Sequence, residues 1–329
     1  MKKSLKDILN EATSVLFPAG SRPEKIAPCD HYAGNEKFIQ KAILLQKNTP
    51  SLVDITCDLE DGATVGKESQ WLKDVVDIVK TEAKNSTRCG VRIHAPHETK
   101  LFIEEINSLL PNTGKQLSHI TIPKIDSLDI FNKSLTEIKK ICSANTISTP
   151  PIHVLIENLT ILPFLDQIAS TKEVRTLEFG IMDFISSLNG AIKIEESSSP
   201  KQFTNQLISR VKTDIVMAAL RHGKTPVHNV TVDYKIPGRA FEDAKTAREN
   251  FGFKRMWSIH PAQISEILMA FSVSSDKLVE YAELIKQAHA ANWGPISIEG
   301  KLHDRASYRA ILEDLETALK LDPSSIDKL

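Results

Sequence analysis

Two short β-type runs, Ile152-His153-Val154-Leu155-Ile156-Glu157 and Leu177-Glu178-Phe179-Gly180-Ile181-Met182-Asp183, flank a stretch where Leu159, Leu162, Phe164, Leu165 and Ile168 recur at roughly helical spacing. Strand, helix, strand is the βαβ unit of a parallel sheet. Each run closes on a carboxylate. Glu157 and Asp183 are therefore expected at the same sheet edge, the carboxyl-terminal one where α/β enzymes place their chemistry. Two carboxylates with little else suit a hard cation such as Mg²⁺, or Mn²⁺ in its place. The same residues admit a plainer reading, with Glu157 capping the next helix and Asp183 solvated in a loop. The rest of the chain has to choose between them.

A chain of 329 residues is long enough for one large α/β barrel or for two smaller domains. Its net charge of -1 gives no footing for a nucleic-acid or acidic-membrane partner. No apolar run reaches the roughly 20 residues of a membrane helix. The start, Met1-Lys2-Lys3-Ser4-Leu5-Lys6-Asp7, lacks the apolar centre of a secretory signal. Cys29, Cys57, Cys89 and Cys142 are far apart and match no zinc or thioredoxin-like spacing, so reduced thiols in a cytoplasmic protein are expected.

In chain order, residues 14–18 read as the first strand, with Arg22 and Lys25 close behind it. Residues 51–58, 89–94 and 118–124 read as the second to fourth, the last ended by Pro123. The two runs above are the fifth and sixth, and residues 229–233 and 255–261 the seventh and eighth. A polar, Ser-rich loop or insertion is expected over 195–202. Eight strands separated by helical stretches, without a Gly-rich phosphate fingerprint after the first, predict a closed (β/α)₈ barrel over residues 1–273. Residues 274–329 then form a helical extension, a candidate lid or subunit-exchange element.

Charged residues gather at the predicted carboxyl-terminal ends of strands: Asp58, Glu60, Asp61, Arg92, His94, Lys124, Glu157, Asp183 and His260. Each alone could be a solvated loop residue or, for His94, a hydrogen-bonded structural histidine. A ring of them beside a core is costly unless paired or used. The expected pairing sets Arg92 against Glu60 or Asp61 and leaves Glu157 and Asp183 for a cation.

The motifs Leu16-Phe17-Pro18-Ala19, Asp58-Leu59-Glu60-Asp61-Gly62-Ala63, Val91-Arg92-Ile93, Ile122-Pro123-Lys124, Ile156-Glu157, Phe179-Gly180-Ile181-Met182-Asp183 and Ser258-Ile259-His260-Pro261-Ala262-Gln263 occur in this order along nearly the whole chain. In that set the chain resembles the HpcH/HpaI aldolase/citrate lyase β-subunit superfamily, on its malyl-CoA and citramalyl-CoA lyase-like branch. The resemblance implies a Mg²⁺-dependent carbon–carbon lyase that cleaves a 3-hydroxyacyl-CoA to an acyl-CoA and a 2-oxo acid. It implies Glu157 and Asp183 as metal ligands. Arg92 would be the donor to the enolate oxygen, with Glu60 and Asp61 beside it. Phe17, Arg22, Lys25, His94 and Lys124 would line the substrate pocket, Arg22 and Lys25 toward CoA phosphates. Gly300-Lys301-Leu302-His303-Asp304 resembles the tail motif whose aspartate enters a neighbouring subunit's site, which implies Asp304 as base and a homotrimer or dimer of trimers. Asp is also a favoured helix N-cap, so Asp304 keeps both readings. The chain departs from the family pattern at His94, where Asn is usual after Arg-x, and in the spacing from Asp61 to Lys67. These departures keep a CoA-independent aldolase with a histidine–carboxylate base, and a non-catalytic oxo-acid-binding homologue, open as alternatives.

Overall fold

A computed structural model describes residues 3–17, 25–49, 52–63, 65–82 and 88–321. Eight parallel strands close into a barrel in sequential order. They are β1 (Cys29–Ala33), β2 (Val53–Asp58), β3 (Cys89–Arg92), β4 (Ile120–Ile122), β5 (Ile152–Ile156), β6 (Val174–Phe179), β7 (Thr225–His228) and β8 (Arg255–Ser258). Helix α1 (Leu5–Leu16) precedes β1, and α2 (Glu36–Asn48), α3 (Glu68–Glu82), α4 (Thr99–Thr113) and α5 (Leu128–Ala144) alternate with the strands that follow. Then come α6 (Leu165–Ser170), α7 (Ile181–Ser187), the short α8 (Lys201–Thr204), α9 (Gln206–Arg221), α10 (Arg239–Thr246) and α11 (Pro261–Phe271). The chain ends in α12 (Ser275–Ala290), the hairpin β9 (Ile296–Ile298) and β10 (Lys301–His303), and α13 (Arg305–Leu321). No helix among the described residues is long and apolar enough to cross a membrane. All four cysteines are free and buried.

The barrel forms one compact unit, Ile26–Ile267, and Met1–Lys25 group with Leu268–Leu329 in a second. The first strand therefore does not lie where the sequence reading put it. Residues 14–16 are the last turn of α1, which Ser4 caps by accepting from the Asp7 N–H. Leu5, Ile8, Leu9, Ala12 and Leu16 follow a helical period and pack with Leu278, Ile285, Tyr308 and Leu312. The true β1 carries Asp30 and His31 in its middle, so it shows no apolar run. The seventh strand is also displaced, to Thr225–His228. Pro226 disguised it as a turn, yet its carbonyl accepts from the Lys254 N–H and its missing donor is tolerated there. Residues 229–233 form the exit loop instead. The expected loop over 195–202 contains a 3₁₀ turn (Ile194–Ser197) and the start of α8.

The barrel interior is polar at its heart. Arg255 is fully buried and donates to Asp30 (2.5 Å), to Asp54 and to the Ala27 carbonyl (2.9 Å). Thr56 donates to Asp30 (2.8 Å), and Glu178 accepts from Tyr32 (2.9 Å) and Thr176 (2.9 Å). The imidazoles of His119 and His153 stack between these groups, 3.9 Å apart and 3° from parallel.

Candidate functional site

The β2–β3 pairing sets Asp58 in register with Arg92 at the carboxyl-terminal ends of their strands. The Arg92 Nε donates to Asp58 Oδ1 at 2.7 Å and an Nη donates to Oδ2 at 2.5 Å, a two-pronged pair. The other Nη lies 3.2 Å from Glu60. A guanidinium has five N–H donors, so about two remain for a ligand. The loop after β2 wraps around the same carboxylate, since Glu60 N–H and Gly62 N–H donate to Asp58 at 3.1 and 2.9 Å. A Cβ on Gly62 would stand 2.2 Å from Asp58 Oδ2, so glycine is what allows this approach. Below Arg92 the Tyr32 ring offers its face, with the guanidinium carbon 5.5 Å from the ring centre.

Lys124 follows β4 with φ +51, a rare backbone state for a residue with a side chain. The turn aims its N–H at Glu157 (2.5 Å) while its ammonium pairs with both oxygens of Asp61 (2.9 Å each) and with Glu60. The expected pairing thus holds for Arg92 with Glu60, but Asp61 belongs to Lys124 and the main partner of Arg92 is Asp58. Burial would raise the Asp61 carboxyl, and the Lys124 ammonium outweighs it, so Asp61 is held below the usual range. For Glu60 burial prevails over Arg92 and Lys124, and its carboxyl is pushed up.

Glu157 immediately follows β5 and is buried, while Asp183 sits half-buried in the first turn of α7. Burial, and next the negative charge of Asp183, push the Glu157 carboxyl up to about 8. A buried carboxyl whose ionisation burial and a neighbouring acid oppose is what a divalent cation relieves, so this pair fits one. Gly180 makes the room: a Cβ there would stand 2.3 Å from Glu157 Oε2. A second grouping, Asp30, His119 and His153, brings its ligand-type atoms within 4.8 Å of one another. Its imidazoles are parallel and stacked, so no point lies in both ring planes, where lone pairs are directed. The His119 Nε2–H is moreover spent on Thr56 (2.8 Å). This group is a hydrogen-bonded core.

His94 is buried against α4. Its Nδ1 lies 2.5 Å from Glu105 and its own N–H donates to Glu105 at 2.7 Å. Burial lowers its affinity for a proton, but Glu105 outweighs burial and the net shift is upward. Thus Arg92, Glu60, Asp61, Lys124, Glu157 and Asp183 share one end of the barrel. Phe17, Lys25 and Asp304 lie in the other compact unit, and Arg22 is outside the described residues. Phe17 is the C-cap of α1, and Lys25 pairs with Glu313 (3.5 Å) and Glu316. Asp304 caps α13, accepting from Ala306 (2.9 Å) and Ser307 (3.3 Å). Sequence reasoning missed the roles of Asp58, Tyr32 and Gly180. The Asp58-x-Glu60 spacing beside a strand-end arginine was the available signal for the first.

No protein-family profile matches the chain. A citrate lyase of Burkholderia xenovorans LB400, known as a crystal structure, is 34% identical, covers 97% of this chain and 99% of its own, and superposes with a TM-score of 0.83. An L-malyl-CoA/β-methylmalyl-CoA lyase of Cereibacter sphaeroides is 23% identical over 285 residues, 81% of this chain and 87% of that enzyme. The CitE protein of Mycobacterium tuberculosis, solved with magnesium, acetoacetate and coenzyme A, shares the fold at 19% identity, with a TM-score of 0.69 over 89% of this chain and 98% of that one. With the closed barrel and its charged rim in place, the chain belongs to the HpcH/HpaI aldolase/citrate lyase β-subunit superfamily of carbon–carbon lyases, on the branch of its malyl-CoA lyase relatives.

Proposed function

We propose that the chain is a Mg²⁺-dependent lyase that reversibly cleaves a 3-hydroxyacyl-CoA, malyl-CoA- or citramalyl-CoA-like, to an acyl-CoA and a 2-oxo acid. The observation that carries this reading is the rim itself, where an arginine cation held rigidly by Asp58 and Glu60 shares one barrel end with the Glu157–Asp183 pair. A divalent cation held by Glu157 and Asp183 would supply Lewis-acid polarisation of the 2-oxo acid's carbonyl. In cleavage a base removes the hydroxyl proton, the carbon–carbon bond breaks, and its electron pair passes to the thioester carbonyl as an enolate. The remaining Arg92 N–H donors would meet that enolate oxygen, and their fixed position avoids reorganisation as charge develops. Lys124 offsets part of the charge of Asp61 and Glu60, which lessens their repulsion of the entering carboxylate.

Asp304 is our candidate for the base, delivered from a neighbouring copy in a homotrimer or dimer of trimers. Asp304→Ser keeps a capping oxygen for α13 but removes the carboxylate, so it should spare thermal stability and abolish turnover. Mixing inactive Asp304→Ala with inactive Glu157→Gln chains, after dissociation and reassembly, should restore activity. Hybrids that form and stay inactive would assign Asp304 to its own barrel or to no role.

A second reading, a CoA-independent aldolase acting on free 2-oxo acids, is favoured by one observation: His94 is held by Glu105 in the manner of a histidine–carboxylate base. Incubation with Mg²⁺, acetyl- or propionyl-CoA and a panel of 2-oxo acids, followed by mass spectrometry, separates the two. Condensed acyl-CoA products support the thioester lyase. Aldol products formed without any thioester support the aldolase.

A further inference from the structure

Asp58 takes the Nε and one Nη of Arg92, and Glu60 lies beside the other Nη. A guanidinium is planar and its N–H bonds lie in that plane, so such a fork resists sliding and leaves tilting out of the plane as the soft motion. The Tyr32 ring, 5.5 Å from the guanidinium carbon, stands in the way of that tilt. In the β1–β2 register Tyr32 pairs with Thr56, two residues before Asp58, which sets it just beneath the rim. Tyr32 is itself held firmly. Its hydroxyl donates to Glu178 Oε2 at 2.9 Å, while the other oxygen of Glu178 accepts from Thr176 at 2.9 Å and lies 3.0 Å from the His153 Nδ1. The Trp257 ring packs against it at 4.8 Å and 53°, and Leu155 and Val227 share the same buried cluster. Burial, and next the charges of Glu178 and Asp30, push the phenol well above its ordinary range, so a neutral O–H faces Glu178. An O–H donated to a carboxylate enriches the π face of its ring, and that face is what attracts a cation.

We propose that Tyr32, braced by Glu178, is a positioning residue: its ring fixes the tilt of the Arg92 guanidinium, and with it the direction of the N–H donors left for the enolate oxygen. The assignment rests on the thioester-lyase reading above. In this role Tyr32 acts through Arg92 and touches none of the reacting atoms. Full negative charge reaches the thioester oxygen only as the carbon–carbon bond breaks, so a misdirected donor costs rate and not ground-state binding.

Three variants of the full chain test it. Tyr32→Leu removes the ring, and kcat should fall about tenfold, the usual worth of a partly desolvated cation–π contact. KM for the acyl-CoA and the affinity for Mg²⁺ should stay as in the parent. Tyr32→Phe keeps the ring and loses the bond to Glu178. Glu178→Gln keeps the shape and an acceptor oxygen but removes the charge. Each of these two should lower kcat only about two- to threefold. A second readout needs no turnover. In protein made with isotopically labelled arginine, the Arg92 Nε–H line of the proton–nitrogen NMR spectrum is identified by its loss in Arg92→Lys. It should be single and sharp in the parent and in Tyr32→Phe, and broadened or split in Tyr32→Leu. Unchanged kcat in Tyr32→Leu overturns the proposal, as does a loss that Tyr32→Phe does not rescue or one shared equally by KM and Mg²⁺ affinity. Should Tyr32→Leu fail to fold, Glu178→Gln decides: a lowered kcat with KM unmoved upholds the proposal, and unchanged kcat overturns it. A parent chain without thioester turnover removes the lyase reading, and the Arg92 line then decides alone. Its dependence on Tyr32, with rescue by Tyr32→Phe, upholds the positioning, and indifference overturns it.

Discussion

Two charged clusters occupy the same barrel and solve the problem of buried charge differently. At the heart, Arg255 and Arg88 meet Asp30 and Asp54, and Glu178 accepts from Tyr32 and Thr176 with the His153 Nδ1 3.0 Å away. Burial, and next the neighbouring imidazole, push His119 down to about 3, so the stacked histidines stay neutral. At the rim five acidic side chains, Asp58, Glu60, Asp61, Glu157 and Asp183, stand against two cations, Arg92 and Lys124, and Glu157 keeps its proton up to about 8. The heart is closed and nearly balanced, as a structural network must be. The rim is open and short of positive charge, which suits the cation proposed for it.

Removing Arg255 should break the heart and give the largest effect. Arg255→Met leaves Asp30 and Asp54 buried without their main partner, and loss of about 3–5 kcal/mol of stability is expected, read from urea or thermal melts. The fraction that stays folded should keep its affinity for Mg²⁺. A stable Arg255→Met chain that has lost its metal affinity would merge the two clusters into one functional unit.

Arg92→Lys should do the reverse. An ammonium cannot reproduce the fork that grips Asp58 and still serves an enolate oxygen, so turnover should fall about 10²–10³-fold. Near-normal kcat would remove Arg92 from the chemistry and leave it as a structural partner of Asp58.

A smaller effect is expected from Gly180→Ala. The added Cβ would meet the Glu157 carboxylate at 2.3 Å and displace it. Weakening of Mg²⁺ binding by about tenfold is expected, equivalent to about 1.4 kcal/mol, with little change in melting. Unchanged affinity would place the metal away from Glu157.

The rim was more legible in the sequence than the heart, and for a physical reason. Strand ends such as Cys57-Asp58, Val91-Arg92 and Ile156-Glu157 switch abruptly from apolar to charged, and that switch is local. His153, Glu178 and Arg255 sit inside runs that read as strands, and nothing local says they face one another across a barrel. β1 and β7 were misplaced because Asp30, His31 and Pro226 break the apolar pattern, while tertiary pairing overrides it. The left-handed turn at Lys124 and the clearance at Gly180 are three-dimensional facts without a sequence signature.

The most direct test is a calorimetric Mg²⁺ titration of the full chain and of Glu157→Gln and Asp183→Asn, across pH and in buffers of different ionisation enthalpy. In the metal-free fold Glu157 holds its proton up to about 8, whereas the unfolded chain releases it near 4.5. The unfolded state therefore binds fewer protons through that window, and the metal-free fold loses stability as pH rises toward 8. A cation must displace the same proton, so Mg²⁺ affinity should climb with pH to about 8 and level off above it, with proton release on binding. Both variants should lose the binding and keep their fold. Mg²⁺ binding that persists in Glu157→Gln and Asp183→Asn, or that ignores pH across this range, would contradict the account.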